Sequence, residues 1–224
     1  MAEEHISLMI LTMKGGHSLL RKRKNKWIKQ LKSPRRWIST EQIRMIKMNT
    51  QHVLKNEKSI LMVTSPEGNP RQSMISLKLA SSFAEAGKRV LLVDMNFRGP
   101  IIHHLFDVPN NKGLSNILSG EQGEISKVFI DNLHFLPAGS VPFYLESLNK
   151  IEQLLVAWHR IYDVILLDSP PFLIAADSQI VSTVCSGVIL VIQEDQTKER
   201  DALQVKKILE RANTQLLGAI YQTS

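Results

Sequence analysis

Six short runs of apolar residues, two of them stopping on an aspartate, restrict this chain more than any other feature of it. They cover residues 59–65, 89–94, 133–137, 164–168, 187–193 and 216–221. The runs are too uniformly apolar to leave one face wet and too short for buried helices, so they read as strands covered on both faces. Helix-length stretches separate them. Residues 73–86 set Leu77, Ala80 and Ala84 along one face and stop at Gly87; 145–160 and 198–212 are of similar length. A further helix is expected over 40–54, where Thr40 can cap it and Ile43, Ile46 and Val53 have partial helical spacing. Strand and helix in alternation predict an α/β fold: a doubly wound, mostly parallel sheet flanked by helices.

At 224 residues, 43% of them hydrophobic and 22% charged, the chain can bury one full core, which excludes wholesale disorder. Its single cysteine, Cys185, excludes an intramolecular disulfide and a four-cysteine zinc site, fits a reducing compartment, and is expected as a small core residue. No apolar run reaches the roughly 18–20 residues of a membrane span. The best candidate, Ile6 to Met13, is broken by Ser7 and Thr12, and the preceding Glu3 and Glu4 argue against a secretory signal. The net charge of +7 is concentrated: from His5 to Thr40 there are ten lysines and arginines and no acid, whereas from Trp37 onward 18 bases face 19 acids. Residues 1–39 are therefore expected to be a basic, flexible segment, broken from the domain at 40–224 near Ser33-Pro34, with Met13 an alternative start. That segment suits an anionic membrane surface. A nucleic-acid-binding domain would carry charge on its folded face too, so no specific nucleic acid is expected.

Ligands of a parallel sheet bind beyond the carboxyl ends of its strands. There the first strand runs into Thr64-Ser65-Pro66-Glu67-Gly68-Asn69-Pro70-Arg71-Gln72-Ser73-Met74 and a helix, and two others end in Asp94 and Asp168. A strand–loop–helix unit beside two strand-end aspartates is the layout of a phosphate-binding loop. Loop N–H groups surround phosphates at a helix N-terminus, and the carboxylates hold magnesium or its waters. Both aspartates could otherwise be plain turn residues. Two roles stay open for Ser73, a metal ligand or a helix cap.

Six stretches then occur in one order: Glu41-x-x-Arg44-x-x-Lys47, Val90-Leu-Leu-Val-Asp94 with the residues to Pro100, Leu136-Pro-Ala-Gly139, Asp163-Val-Ile-Leu-Leu-Asp168-Ser-Pro-Pro171, Ala176-Asp-Ser-Gln179 and Leu217-Gly-Ala-Ile220. Together, from about Thr40 to the end, they resemble the bacterial tyrosine kinases (BY-kinases) of capsule and exopolysaccharide synthesis, relatives of the MinD/ParA ATPases. The resemblance implies ATP and Mg2+ as cofactors, with the metal held by Ser73, Asp94 and Asp168. It makes Asp94 and Asp168 catalytic and places Gly68, Arg71, Gln72, Ser73 and Arg98 against the nucleotide. A tyrosine hydroxyl of a neighbouring subunit would attack the γ-phosphate. It further implies self-association through Glu41, Arg44 and Lys47, an activating transmembrane polysaccharide co-polymerase, and a cytoplasmic place at the inner face of the cell membrane.

The departures from the family pattern are specific. Where the family loop reads P-G-E-G-K-S-T, ungapped alignment puts Asn69 at an earlier glycine, Arg71 at the last glycine, Gln72 at the lysine, Ser73 at the serine and Met74 at the threonine. Gln72 brings no cation; a charge-assisted hydrogen bond is worth roughly 1.5–3 kcal/mol, about tenfold to a hundredfold in binding or rate. Asn69 and Arg71 obstruct close approach of backbone to phosphate, and Pro70 removes a donor. Asn96 replaces the second aspartate of the family's D-x-D-x-R. The C-terminal tyrosine cluster is missing, only Tyr221 lying near the end. A regulatory pseudo-kinase with a degraded ATP site is the expectation. The alternatives are an active tyrosine kinase in which Arg71 compensates, and a MinD/ParA-like ATPase whose basic tail meets lipid or DNA. Without the resemblance, Arg71 and Lys78 read as exposed cations, Glu41, Arg44 and Lys47 as a solvated helix face, and His103-His104 as diverging neighbours rather than a metal pair.

Overall fold

The computed structural model of the chain describes residues 40–54, 59–142 and 149–222. The basic segment 1–39 lies outside them, as does the expected beginning of the helix at 145. The elements are α1 (Thr40–Leu54), β1 (Ser59–Thr64), α2 (Gln72–Glu85), β2 (Val90–Asp94), α3 (Ile102–Phe106), α4 (Leu114–Leu118), β3 (Ser126–Lys127), β4 (Leu133–Leu136), α5 (Asn149–His159), β5 (Val164–Asp168), α6 (Ala176–Ser182), β6 (Gly187–Gln193), α7 (Glu199–Arg211) and β7 (Leu216–Gln222). The sheet has the order β3-β4-β2-β5-β1-β6-β7. All its pairings are parallel except β3 with β4 at one edge.

Every residue of β1, β2 and β5 is buried, because the pleat sends alternate side chains into two separate cores. Leu61, Val63, Leu92, Val164 and Leu166 meet Ile46 of α1 and Ile75, Leu79 and Phe83 of α2. Ile60, Met62, Leu91, Val93, Ile165 and Leu167 meet Leu155 and Trp158 of α5 and Val205 and Leu209 of α7. Removing each such side chain from water contributes roughly 1.5–3 kcal/mol, offset largely by chain entropy. α2 ends in a Schellman turn: Gly87, at φ +83°, donates to Ala84 O and Lys88 to Phe83 O. α1 is fastened to α2 by Lys47, whose Nζ donates to Ser82 O (3.0 Å) and Ser82 Oγ (3.2 Å).

Several expectations are corrected. Lys47 does not lie on a solvated face, since α2 supplies its partners. Lys78 is half-buried, and desolvation lowers its pKa. Arg71 is also half-buried rather than exposed, whereas Cys185, itself half-buried, packs against the core on the α5 and α7 side. The His103 and His104 rings do not diverge; their centroids are 3.8 Å apart. Among the described residues no group of three His, Cys, Asp or Glu side chains could hold a metal, and no helix is long and apolar enough to cross a membrane.

Candidate functional site

The register of the sheet assembles the site. β5 lies between β1 and β2, so Asp168 is the direct partner of Asp94 on one side and of Val63 on the other. Both aspartates are 0% exposed. Asp168 is richly bonded: Ser73 Oγ donates to Oδ2 (2.5 Å), while Ser76 Oγ (2.6 Å) and Gln72 Nε2 (3.1 Å) donate to Oδ1. Asp94 Oδ1 accepts from the Asn96 N–H (3.0 Å), but its Oδ2 is buried without a partner. Burial, and then the charge of Asp168, push the Asp94 carboxyl well above the usual carboxylate range, against the pull of nearby backbone N–H groups. Burial raises Asp168 too, but the donors Ser73, Ser76 and Gln72 favour its charged form. A proton on this pair therefore belongs on Asp94.

The loop before α2 is closed by its own side chains. Gly68 takes φ +123°, a conformation that favours glycine. Asn69 Oδ1 accepts the Arg71 N–H (2.8 Å), and Asn69 O accepts the Gln72 N–H (3.0 Å). Asn69 Nδ2 donates to Gln222 Oε1 at the end of β7 (3.1 Å). Gln72, 5% exposed, turns its carboxamide to the strand ends. Its Nε2 donates to Ser169 O (2.6 Å) as well as to Asp168, with Val63 O at 3.3 Å, and its Oε1 accepts from Ser65 Oγ (2.8 Å).

Ser73, Gln72, Asp94 and Asp168 are thus brought together at the strand ends, and the cap role for Ser73 is overturned. The helix begins at Gln72 with Arg71 at the cap position, and the Ser73 hydroxyl is bonded to Asp168. Gly68 is exposed in the loop, and Arg98 is exposed in the turn after β2, outside this bonded group. Ser65, Ser76 and the Asn69–Gln222 link were not anticipated. Ser76 alone had a readable signal: it lies three and four residues after Ser73 and Gln72, hence on their helix face. The residues suit Mg2+: Asp94 has a free buried oxygen, Ser73 Oγ keeps its lone pairs while donating to Asp168, and magnesium takes one or two carboxylates with water and phosphate oxygens. They do not suit a triphosphate. No cation stands at position 72, position 70 has no N–H, and the N–H groups of 71 and 72 are already bonded.

A doubly wound sheet with a strand–loop–helix unit facing paired strand-end aspartates defines a P-loop NTPase domain of the MinD/ParA type. A family model of ParA kind, described as a NUBPL iron-transfer P-loop NTPase, matches residues 56–224. The MinD protein of Pyrococcus horikoshii, solved with Mg-ADP, shares the fold at TM-score 0.61 and 22% identity, over 72% of this chain and 68% of its own. Nearer relatives narrow the class. Tyrosine-protein kinase YwqD of Bacillus subtilis is 32% identical over 190 residues, 82% of this chain and 80% of that protein. Tyrosine-protein kinase CpsD of Streptococcus agalactiae is 31% identical over 187 residues, 80% and 81% of the two. The chimerical protein CapA2B2 superposes at TM-score 0.73 with 25% identity, over 99% of this chain and 98% of its own. The chain belongs to the bacterial tyrosine-protein kinase family.

Proposed function

We propose that this chain is a regulatory pseudo-kinase of exopolysaccharide or capsule synthesis, acting in the cytoplasm at the inner face of the membrane beside a transmembrane co-polymerase. The observation that carries the reading is the Gln72 carboxamide, bonded to Ser169 O and Asp168 at the position where the family's lysine would meet phosphate. A neutral group committed to the strand ends cannot follow a β/γ-phosphate. Magnesium, if bound, would be held by Ser73, Asp94 and Asp168 and would supply charge neutralisation to a nucleotide. The chain's own loop contributes little to holding that nucleotide.

Self-association through α1 is part of the proposal. Glu41 and Arg44 form an ion pair of 3.6 Å with both side chains 71% exposed. Met45 and Met48, 58% and 65% exposed, add apolar area to the same helix. Lys47 contributes by fixing α1 on α2 rather than by reaching a neighbour. A second reading, an active tyrosine kinase in which Arg71 supplies the cation, is favoured by the intact magnesium half of the site, above all the unpartnered Asp94 Oδ2. Calorimetric titration with Mg-ATP, and phosphotyrosine detection with the co-polymerase present, separate the two. The pseudo-kinase gives neither saturable binding nor phosphotyrosine. Micromolar affinity or robust phosphorylation by the unaltered chain establishes the second reading instead.

A further inference from the structure

We infer that Gln72 makes the phosphate loop a self-closed latch, holding the ends of β1 and β5 and the start of α2 together with no anion or metal in it. The inference deepens the pseudo-kinase reading and rests on it for its significance. In a phosphate-binding loop, a ligand completes the free N–H groups and meets the cation. Here these roles are filled from within. Asn69 takes the N–H groups of Arg71 and Gln72. The Gln72 amide has two hydrogens, which serve the two shorter contacts, to Ser169 O and Asp168 Oδ1, and its oxygen receives Ser65 Oγ. Ser76 Oγ gives its single hydrogen to Asp168 Oδ1 (2.6 Å) and so ties the second turn of α2 to the same carboxylate. The latch reaches beyond the loop: Phe172 and Leu173 N–H donate to Ser65 O and Pro66 O, and Asn69 Nδ2 donates to Gln222 Oε1. The face of the domain beyond the strand ends therefore keeps one shape whatever the nucleotide supply, and whatever reads that face reads the presence of the chain, not its nucleotide state.

Hydrogen exchange read by mass spectrometry on the full chain tests the latch, with and without Mg-ATP. The wild-type peptide spanning 65–76 should exchange slowly and be unchanged by Mg-ATP. Gln72→Met, which keeps the volume and loses the bonds, should speed exchange there roughly two- to tenfold, leave α7 as it was, and lower Tm by about 2–8 °C. Should that variant fail to fold, Ser65→Ala, which deletes one hydroxyl, carries the test, and trypsin cleavage after Arg71 gives a second readout of loop opening. Variants that exchange like wild type in this peptide overturn the latch. So does a wild-type loop that exchanges freely until Mg-ATP is added. Mg-ATP binding to a loop already protected supports the latch and refutes the pseudo-kinase reading. Free exchange with no Mg-ATP binding refutes the latch and spares that reading.

Discussion

Gln72→Lys is the substitution the family pattern most invites, and the structure predicts that alone it recovers little Mg-ATP binding. A lysine ammonium donates to Asp168 and Ser169 O as the carboxamide does, so it is drawn to the strand ends, but it cannot accept from Ser65 Oγ. A cation at the phosphates is worth about 1.5–3 kcal/mol. The lost Ser65 bond is absent from the free and the bound variant alike and cancels in binding, but the buried pair with Asp168 must open before the ammonium can turn to phosphate. That pair is itself a charge-assisted bond of about 1.5–3 kcal/mol, so the cation's gain is largely offset and Kd improves by well under roughly tenfold. Adding Asn69→Gly, Pro70→Glu and Arg71→Gly releases the N–H at 71 from Asn69 Oδ1 and returns the one that Pro70 lacks. These positions act on one ligand, so their effects exceed the sum of single changes. In calorimetry the fourfold variant should saturate with Mg-ATP where wild type and Gln72→Lys do not, while Asn96, which lacks a carboxylate, keeps phosphotyrosine low. Equal affinity of the single and fourfold variants would refute the part assigned to the loop backbone.

Arg44→Glu should shift the assembly toward monomer in multi-angle light scattering with Tm unchanged, because the ion pair it breaks is exposed and screened; a wild type already monomeric at high concentration with its membrane partner sinks the α1 interface. Deleting residues 1–36 should abolish binding to anionic vesicles at low salt, since each of the ten bases is worth up to about 1 kcal/mol near such a surface; retained binding by the shortened chain rejects the anchor. Asp94 has a folded pKa raised above its unfolded value of about 3.9, so the folded chain holds the extra proton and stability falls as pH rises from that value toward the folded one. Asp94→Asn should therefore melt higher at pH 7, with the gain shrinking on acidification; an equal or lower Tm at pH 7 contradicts the buried-carboxylate account.

The strands and long helices were legible because burial on both faces leaves an uninterrupted apolar run, and burial on one face leaves a helical stripe. The short elements had no such mark. α4, five residues long, begins where the Leu114 and Ser115 N–H groups donate to Pro137 O and Ala138 O and Asn116 Oδ1 accepts the Gly113 N–H (3.1 Å), so the chain after β4 helps to initiate it and no apolar pattern announces it. α3 is equally short and ends with Asp107 in the left-handed conformation, a stop usually marked by glycine. β3 is two residues of an edge strand, and α6 starts at Ala176 behind Ala175, which has no side-chain cap to announce it.

The site divides along a similar line. Asp94 and Asp168 were legible because a strand end is a fixed place in a parallel sheet, and the register then had to set them side by side. The direction of a side chain has no such periodicity. Lys47 matches a motif position, yet Ser82 O lies within its reach and turns it inward. Gln72 is the sharper instance. Alignment identifies what position 72 has lost, an ammonium, but not what it has gained. Lysine only donates; a carboxamide donates and accepts. At the mouth of this sheet a donor, Ser65 Oγ, and two acceptors, Asp168 Oδ1 and Ser169 O, surround one side chain. Glutamine satisfies all three without a ligand, whereas lysine would leave Ser65 to find another acceptor. The substitution therefore changes what completes the loop, from a bound anion to the chain itself.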